Sequence, residues 1–199
     1  MMLRYIICAV LVAAWIYLLS VLDRAKLNFW HFIAGSLGLF LFLMVMIRPV
    51  MVDPLSKTVA AMAGLIGSIT KTFTAFFRYG IIFINSASGA ITLQIDFECS
   101  GIIEIMAYLS LLVFFRVYTK HERVFLSIAG VAYIMIANAL RVLVICEAIY
   151  FLGPEVYHVS HAIVGRIVFY VLSIVLYFFV FTKPHIIRMK IGKFTYGHS

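Results

Sequence analysis

One cysteine in this chain stands among ionisable groups. It is Cys99, in the run Asp96-Phe97-Glu98-Cys99-Ser100-Gly101-Ile102-Ile103-Glu104, where an acidic turn meets the start of an apolar helix. A thiol at a helix N-terminus has its pKa lowered by the helix dipole, and a nearby guanidinium lowers it further; the carboxylates beside it oppose both. Two more polar groups fall at membrane depth downstream. Arg141 sits inside an apolar helical run, three residues after Asn138 and on the same face. A mid-helix arginine costs ~2.5–3.5 kcal/mol on insertion scales, so it faces protein or a water-filled cleft. His161 opens the last apolar run, with His158 three residues before it, Gly165 four after it and Arg166 one turn deeper. A thiolate nucleophile, an imidazole acid/base and a guanidinium make an acyl-transfer set. The sulfur attacks a carbonyl and forms a thioester, the histidine protonates the leaving amine, and the arginine stabilises the thiolate or the developing oxyanion.

Each residue also has a plainer reading. Arg141 can snorkel or pair with Glu98, Glu104 or Glu147, and Arg166 carries the same ambiguity. His161 can cap an amphipathic helix end. Cys8 and Cys146 lie inside apolar runs as small hydrophobes, and three cysteines give no even disulfide framework. The joint pattern favours chemistry, because Cys99, Arg141 and His161 fall on one side of the membrane at similar depth. Of the two histidines His161 is preferred, since Gly165 one turn below it leaves room for another helix to approach, while His158 lies in the loop after Pro154.

The elements that position them are membrane helices. The chain of 199 residues is 65% hydrophobic and 12% charged, with a mean hydropathy of +1.11. Several apolar runs reach about 20 residues, enough to cross a ~30 Å hydrocarbon layer. No linker divides residues 1–199, which read as one integral membrane domain. The pattern predicts an all-α, polytopic membrane protein with about six transmembrane helices, at residues 3–22, 30–50, 58–77, 102–117, 124–152 and 162–181. Whether 58–77 spans or lies in the interface is open; its apolar residues Val59, Met62, Ile66, Ile69, Phe73 and Phe76 keep helical spacing. Residues 81–84 and 90–95, around a turn-rich break at 85–89, predict a β-hairpin leading into Cys99. Such a hairpin cannot sit in hydrocarbon with open edges.

Charge sets the orientation. The net charge of +8 comes from bases beside membrane segments, and no nucleic-acid motif accompanies it. The basic loop at 116–123 and the tail, with Lys183, Arg188, Lys190 and Lys193, belong in the cytoplasm. Cys99, the hairpin and residues 153–161 then face outward. For the N-terminal half, a spanning third segment places both termini inside with Arg4, Arg48 and Lys57, against Arg24 and Lys26 outside.

Three motifs, Cys99-Ser100-Gly101-Ile102, Asn138-x-x-Arg141 and His161-x-x-x-Gly165, resemble in order and placement those of the exosortase/archaeosortase family, over roughly residues 80–181. The chain is similar to the short forms found in Gram-positive bacteria. The resemblance implies a multi-pass enzyme of the bacterial plasma membrane, its active site extracytoplasmic, with Cys99, Arg141 and His161 catalytic and no cofactor or metal. Ser100, Gly101, Asn138, Gly165, Glu98, Glu104, His158 and Arg166 support them. Its partners would be the lipid bilayer, exported proteins ending in a short motif, a transmembrane helix and a basic end, and a cell-surface acceptor, with no nucleic acid. One departure is Glu98, where many members carry a small residue. Two other readings compete: a non-catalytic membrane transport or assembly subunit, and a metallohydrolase built on His158, His161, Cys99 and a carboxylate. The second lacks the glutamate of a His-Glu-x-x-His motif.

Overall fold

A computed structural model describes residues 2–86, 88–184 and 186; the Cys8 side chain and the tail bases Arg188, Lys190 and Lys193 lie outside what it describes. The helices are α1 (Met2–Arg24), α2 (Asn28–Met46), α3 (Arg48–Thr70), α4 (Ile102–Phe114), α5 (Lys120–Leu152) and α6 (Pro154–Thr182). Between α3 and α4 stand three strands, β1 (Phe73–Phe76), β2 (Ile81–Ser86) and β3 (Gly89–Gln94). The molecule is a helical membrane protein carrying one small antiparallel sheet. By length and composition α2, α3, α5 and α6 each suffice to cross a membrane, and α4 is a shorter apolar helix.

Small residues and tyrosine hydroxyls join the helices. The Trp15 indole N–H donates to the Ala34 carbonyl at 2.9 Å, and Gly38 leaves space for its ring. Gly35 does the same for Phe114, bringing α2 against α4. The Tyr108 hydroxyl crosses from α4 to donate to Leu126 O at 2.7 Å, over Gly130, and Tyr133 on α5 donates to Leu172 O on α6 at 2.9 Å. Without competing water these bonds satisfy hydroxyls that hydrocarbon would leave bare.

Several boundaries move from the expected ones. Helix α5 starts at Lys120, four residues early, because Thr119 and Glu122 form a capping box. Helix α3 starts at Arg48 rather than 58. Pro49 occupies its first turn, where a missing N–H costs nothing, and Pro54 is carried inside. It ends at Thr70, not 77, because Lys71 takes the left-handed conformation at φ 58°. Phe73 and Phe76 therefore leave the helix and form β1, which pairs Phe73 with Ile84 and Phe76 with Ile81. The predicted hairpin thus gains a third strand, which covers an edge of β2 that would otherwise be open. Ile82, Ile84 and Leu93 point inward and are buried. Helix α4 stops at Phe114, short of the expected 117. Residues 154–161 are not a loop but the first turns of α6.

The bundle has two distinct ends. At one, Arg116 bridges to Asp23 at 2.6 Å and donates to Asn28 at 3.1 Å, so the α1–α2 turn sits with the basic loop. At the other, the Arg48 guanidinium lies 3.7 Å over the Phe97 ring. Both ends of α3 belong there, because Thr72, just past its C-terminus, donates to Glu147 at 2.8 Å. Helix α3 runs obliquely across this end, packed on β1 and α5. The N-terminal arrangement taken from charge alone is therefore reversed: Arg24 and Lys26 lie at the basic-loop end, and Arg48 and Lys57 lie with Cys99.

Candidate active site

The loop between β3 and α4 is rigidified by its own polar groups. Ile95 N–H donates to Gly80 O at 2.8 Å, tying the loop to the start of β2. The Asp96 carboxylate accepts from the N–H of Glu98 at 3.1 Å and of Cys99 at 3.2 Å, a local turn that fixes the cysteine backbone. The Ser100 hydroxyl, fully buried, donates to Phe97 O at 2.9 Å. Gly101 is left-handed at φ 76°, and a Cβ there would meet the Asn138 amide nitrogen at 3.4 Å. Glycine is thus favoured by its backbone conformation, and the Asn138 side chain packs in ordinary contact beside it.

Helix α5 grips this loop from below. The Asn138 side-chain amide donates to Cys99 O, and Arg141 Nη1 donates to Glu98 O at 3.3 Å. The Asn-x-x-Arg spacing places two donors one turn apart, matched to two successive carbonyls. Arg141 is only 4% exposed, so its partner is the Glu98 backbone and not the three carboxylates named from sequence. Glu147 is bound to Thr72, and the Glu98 carboxylate faces Arg166 at 3.6 Å.

Helix α6 supplies the histidine. Its backbone makes a π turn at Ser160–Val164, closed by Gly165 N–H donating to Ser160 O. Such a turn inserts one residue and re-aims side chains. Here it carries His161, whose Nε2 lies 2.9 Å from Cys99 Sγ. The Tyr157 ring stacks on the imidazole, with centroids 5.6 Å apart and planes 27° apart. Gly165 does admit a helix, but the neighbour is α5: a Cβ there would stand 2.7 Å from Ile145 Cδ1. His158 is exposed, with its ring beside Tyr157.

Burial dominates the electrostatics of the thiol. Cys99 is 1% exposed, and burial pushes its pKa up to about 11, against the lowering effect of Arg141 and with Asp96 and Glu98 adding to the rise. The lowering by the helix dipole expected from the sequence is overruled. The sulfur and the imidazole nitrogen stand at hydrogen-bond distance, and the raised pKa favours the neutral thiol.

Next to the loop that carries Cys99, a cleft of about 190 Å³ separates α4 from α6. Ile103 and Glu104 line one wall, Phe169 and Tyr170 the other, Phe97 and Glu98 the rim, with Arg141 and Arg166 between them. Arg141 Nε and Asn138 Oδ1 are buried without a hydrogen-bond partner, so polar capacity beneath the reactive loop is unspent. Among the described residues, no three His, Cys, Asp or Glu side chains gather as metal ligands. Cys146 is buried elsewhere in the core. Two contributors were not assigned roles from sequence: Asp96, three residues before Cys99, and Tyr157, four before His161. Their spacing was the available signal, an Asx turn and a helical i,i+4 pair.

A family model describing a transmembrane exosortase matches residues 2–179 of the chain. No curated protein and no solved structure matches it.

Proposed function

The chain belongs to the transmembrane exosortase family, membrane-embedded enzymes of protein sorting, and from that premise we propose that it is a cysteine transpeptidase acting at the outer face of a bacterial plasma membrane. Its substrates are exported proteins whose C-terminal signal comprises a short motif, a transmembrane helix and a basic end.

The observation that carries this reading is the 2.9 Å contact between Cys99 Sγ and His161 Nε2. These residues are 62 apart in the chain, on different elements, and a loop, a helix grip and a π turn all converge to bring them together. His161 takes the thiol proton as sulfur adds to the scissile carbonyl. It then returns that proton to the departing amine as the tetrahedral adduct collapses to a thioester. An acceptor nucleophile, or water, attacks the thioester and releases Cys99 as the thiol. Arg141, held by the loop backbone with donors to spare, faces the oxyanion that develops in both steps.

Access and orientation support the same reading. The cleft between α4 and α6 is lined by Glu98, the chain neighbour of Cys99, and by Arg141, so it offers a substrate an approach from the side of the bundle. Arg24, Lys26, Arg116, Lys120, Arg123 and Lys183 lie at the end of the bundle away from Cys99, the distribution of a cytoplasmic face.

The test is processing of such a C-terminal signal in cells carrying single variants. Cys99→Ala should abolish processing, and Cys146→Ala should retain it provided the protein still accumulates. Retained processing in inserted Cys99→Ala protein would overturn the mechanism and leave the non-catalytic subunit as the better account.

A further inference from the structure

The sheet carries a pattern that catalysis does not use. It stands beside the part of α5 that outreaches the bilayer. Arg141 lies 21 residues along from Lys120, about 30 Å at the helical rise, already the thickness of the hydrocarbon layer. The remaining turns to Leu152 project about 16 Å beyond. Strand β2 runs alongside this projection. At its far end Ser86 donates to Tyr150 O at 3.1 Å, and Ser88 and Gly89 meet Gly153 and Pro154. At its near end Gly80 lies against Ser56 and Ile95, four residues before Cys99. The short 3₁₀ turn joining β1 to β2, Phe77–Tyr79, is therefore at the level of the reactive loop and of the membrane surface.

Polarity on the outward face of the sheet changes along that axis. Near the low turn Phe76, Phe77, Tyr79 and Phe83 are 52%, 56%, 72% and 41% exposed, and the Phe76 and Phe83 rings pack edge to face at 6.2 Å. Arg78 is exposed among them. At the high end the exposed residues include Asn85, Ser88, Gly89 and Ala90, none of them large and apolar. Aromatics with a cation at one level, and small polar groups 15–20 Å above, match the gradient across a bilayer interface, where amphipathic rings sit at headgroup depth.

We propose that the β1–β2 turn is a membrane foot: Phe76, Phe77 and Tyr79 enter the headgroup and upper acyl region of the leaflet on the Cys99 side, and Arg78 meets its phosphates. The occupant is phospholipid, because the patch continues the lipid-facing surface of the bundle at the same depth and its cation complements the headgroup anion. Since Gly80 adjoins the turn and binds Ile95, the foot fixes the height of residues 96–99 above the hydrocarbon.

The experiment uses the full chain in phosphatidylglycerol/phosphatidylcholine nanodiscs. A nitroxide is placed at Tyr79→Cys or at Ser88→Cys, with the native cysteines replaced by alanine. The ratio of collision with lipid-soluble oxygen to collision with a water-soluble nickel chelate should be severalfold higher at 79 than at 88. Should the cysteine-free protein fail to fold, Tyr79→Trp in the otherwise native chain gives a second reading. Its added fluorescence should be quenched by lipids brominated high on the acyl chain, and Ser88→Trp should not be. Equal, water-like accessibility at 79 and 88 overturns the proposal and leaves the patch as a site for another protein.

Discussion

Cys99 is a thiol at rest because its surroundings exclude water more than they supply positive charge. Its own N–H is spent on Asp96, and Arg141 acts on it while bound to the neighbouring carbonyl. With the pKa raised to about 11, the reactive thiolate is scarce at neutral pH until His161 removes the proton. In a Cys146→Ala background, alkylation of Cys99 by iodoacetamide should rise about tenfold per pH unit through pH 9. A plateau near pH 6–7 would reveal a preformed thiolate–imidazolium pair and refute this ordering. The linkage has the same sign. The folded pKa exceeds the unfolded one, so stability contributed by the buried neutral thiol is complete below pH 9 and is lost as pH rises toward 11. For the histidines, His161→Ala should lower signal cleavage by roughly 10²–10⁴-fold, the usual worth of a positioned acid/base. His158→Ala should have a modest effect, because that side chain is exposed and does not reach the sulfur.

The π turn of α6 is the element on which the site depends. It exists because α6 begins early, packs against Ile145 through Gly165 and must still deliver His161 to Cys99. Gly165→Ala would drive a methyl group into the fully buried Ile145 side chain and crowd Ser160 O at 3.2 Å. Overpacking of this kind costs about 1–3 kcal/mol. Cleavage should fall further than the thermal midpoint suggests, because the displaced helix carries the imidazole. Adding Ile145→Val removes the nearer methyl and should restore part of the activity. Absence of any rescue would show that Gly165 acts through its backbone and not through this contact.

At the scale of the whole molecule the two ends differ in what they carry. One gathers bases in short turns; the other holds the sheet, α3 and the reactive loop. Single cysteines at Asp53 and Ser88 should react with a membrane-impermeant maleimide on intact cells, and one at Lys26 should react only after permeabilisation. Labelling of Lys26→Cys but not Asp53→Cys on intact cells would restore the arrangement read from charge in the N-terminal half. The structure departs from that reading for a physical reason: the bases of α3 lie at the Cys99 end, where Lys57 pairs with Asp53 and Arg48 stacks on Phe97.

Hydropathy required membrane helices, because continuous apolar runs of about 20 residues match a helical span and a helix satisfies its backbone groups within the segment. The β-rich runs 81–84 and 90–95 around a turn-rich break were legible as paired strands, and a thiol beside carboxylates at a helix lip was legible as a candidate nucleophile. Those signals are local: period, charge and capping. What remained hidden was non-local. Helical spacing continued through Phe73 and Phe76, yet β2 claimed those residues because its edge needed a partner. Nothing in the spacing of Asn138 and Arg141 announced that they clasp the carbonyls of residues 98 and 99. The choice of His161 over His158 had a sequence argument, a glycine one turn below, but its geometry rests on a π turn set by packing against α5. The pKa of Cys99 went the same way: the helix dipole is visible in the sequence, whereas the burial that outweighs it exists only once α4, α5 and α6 close around the sulfur.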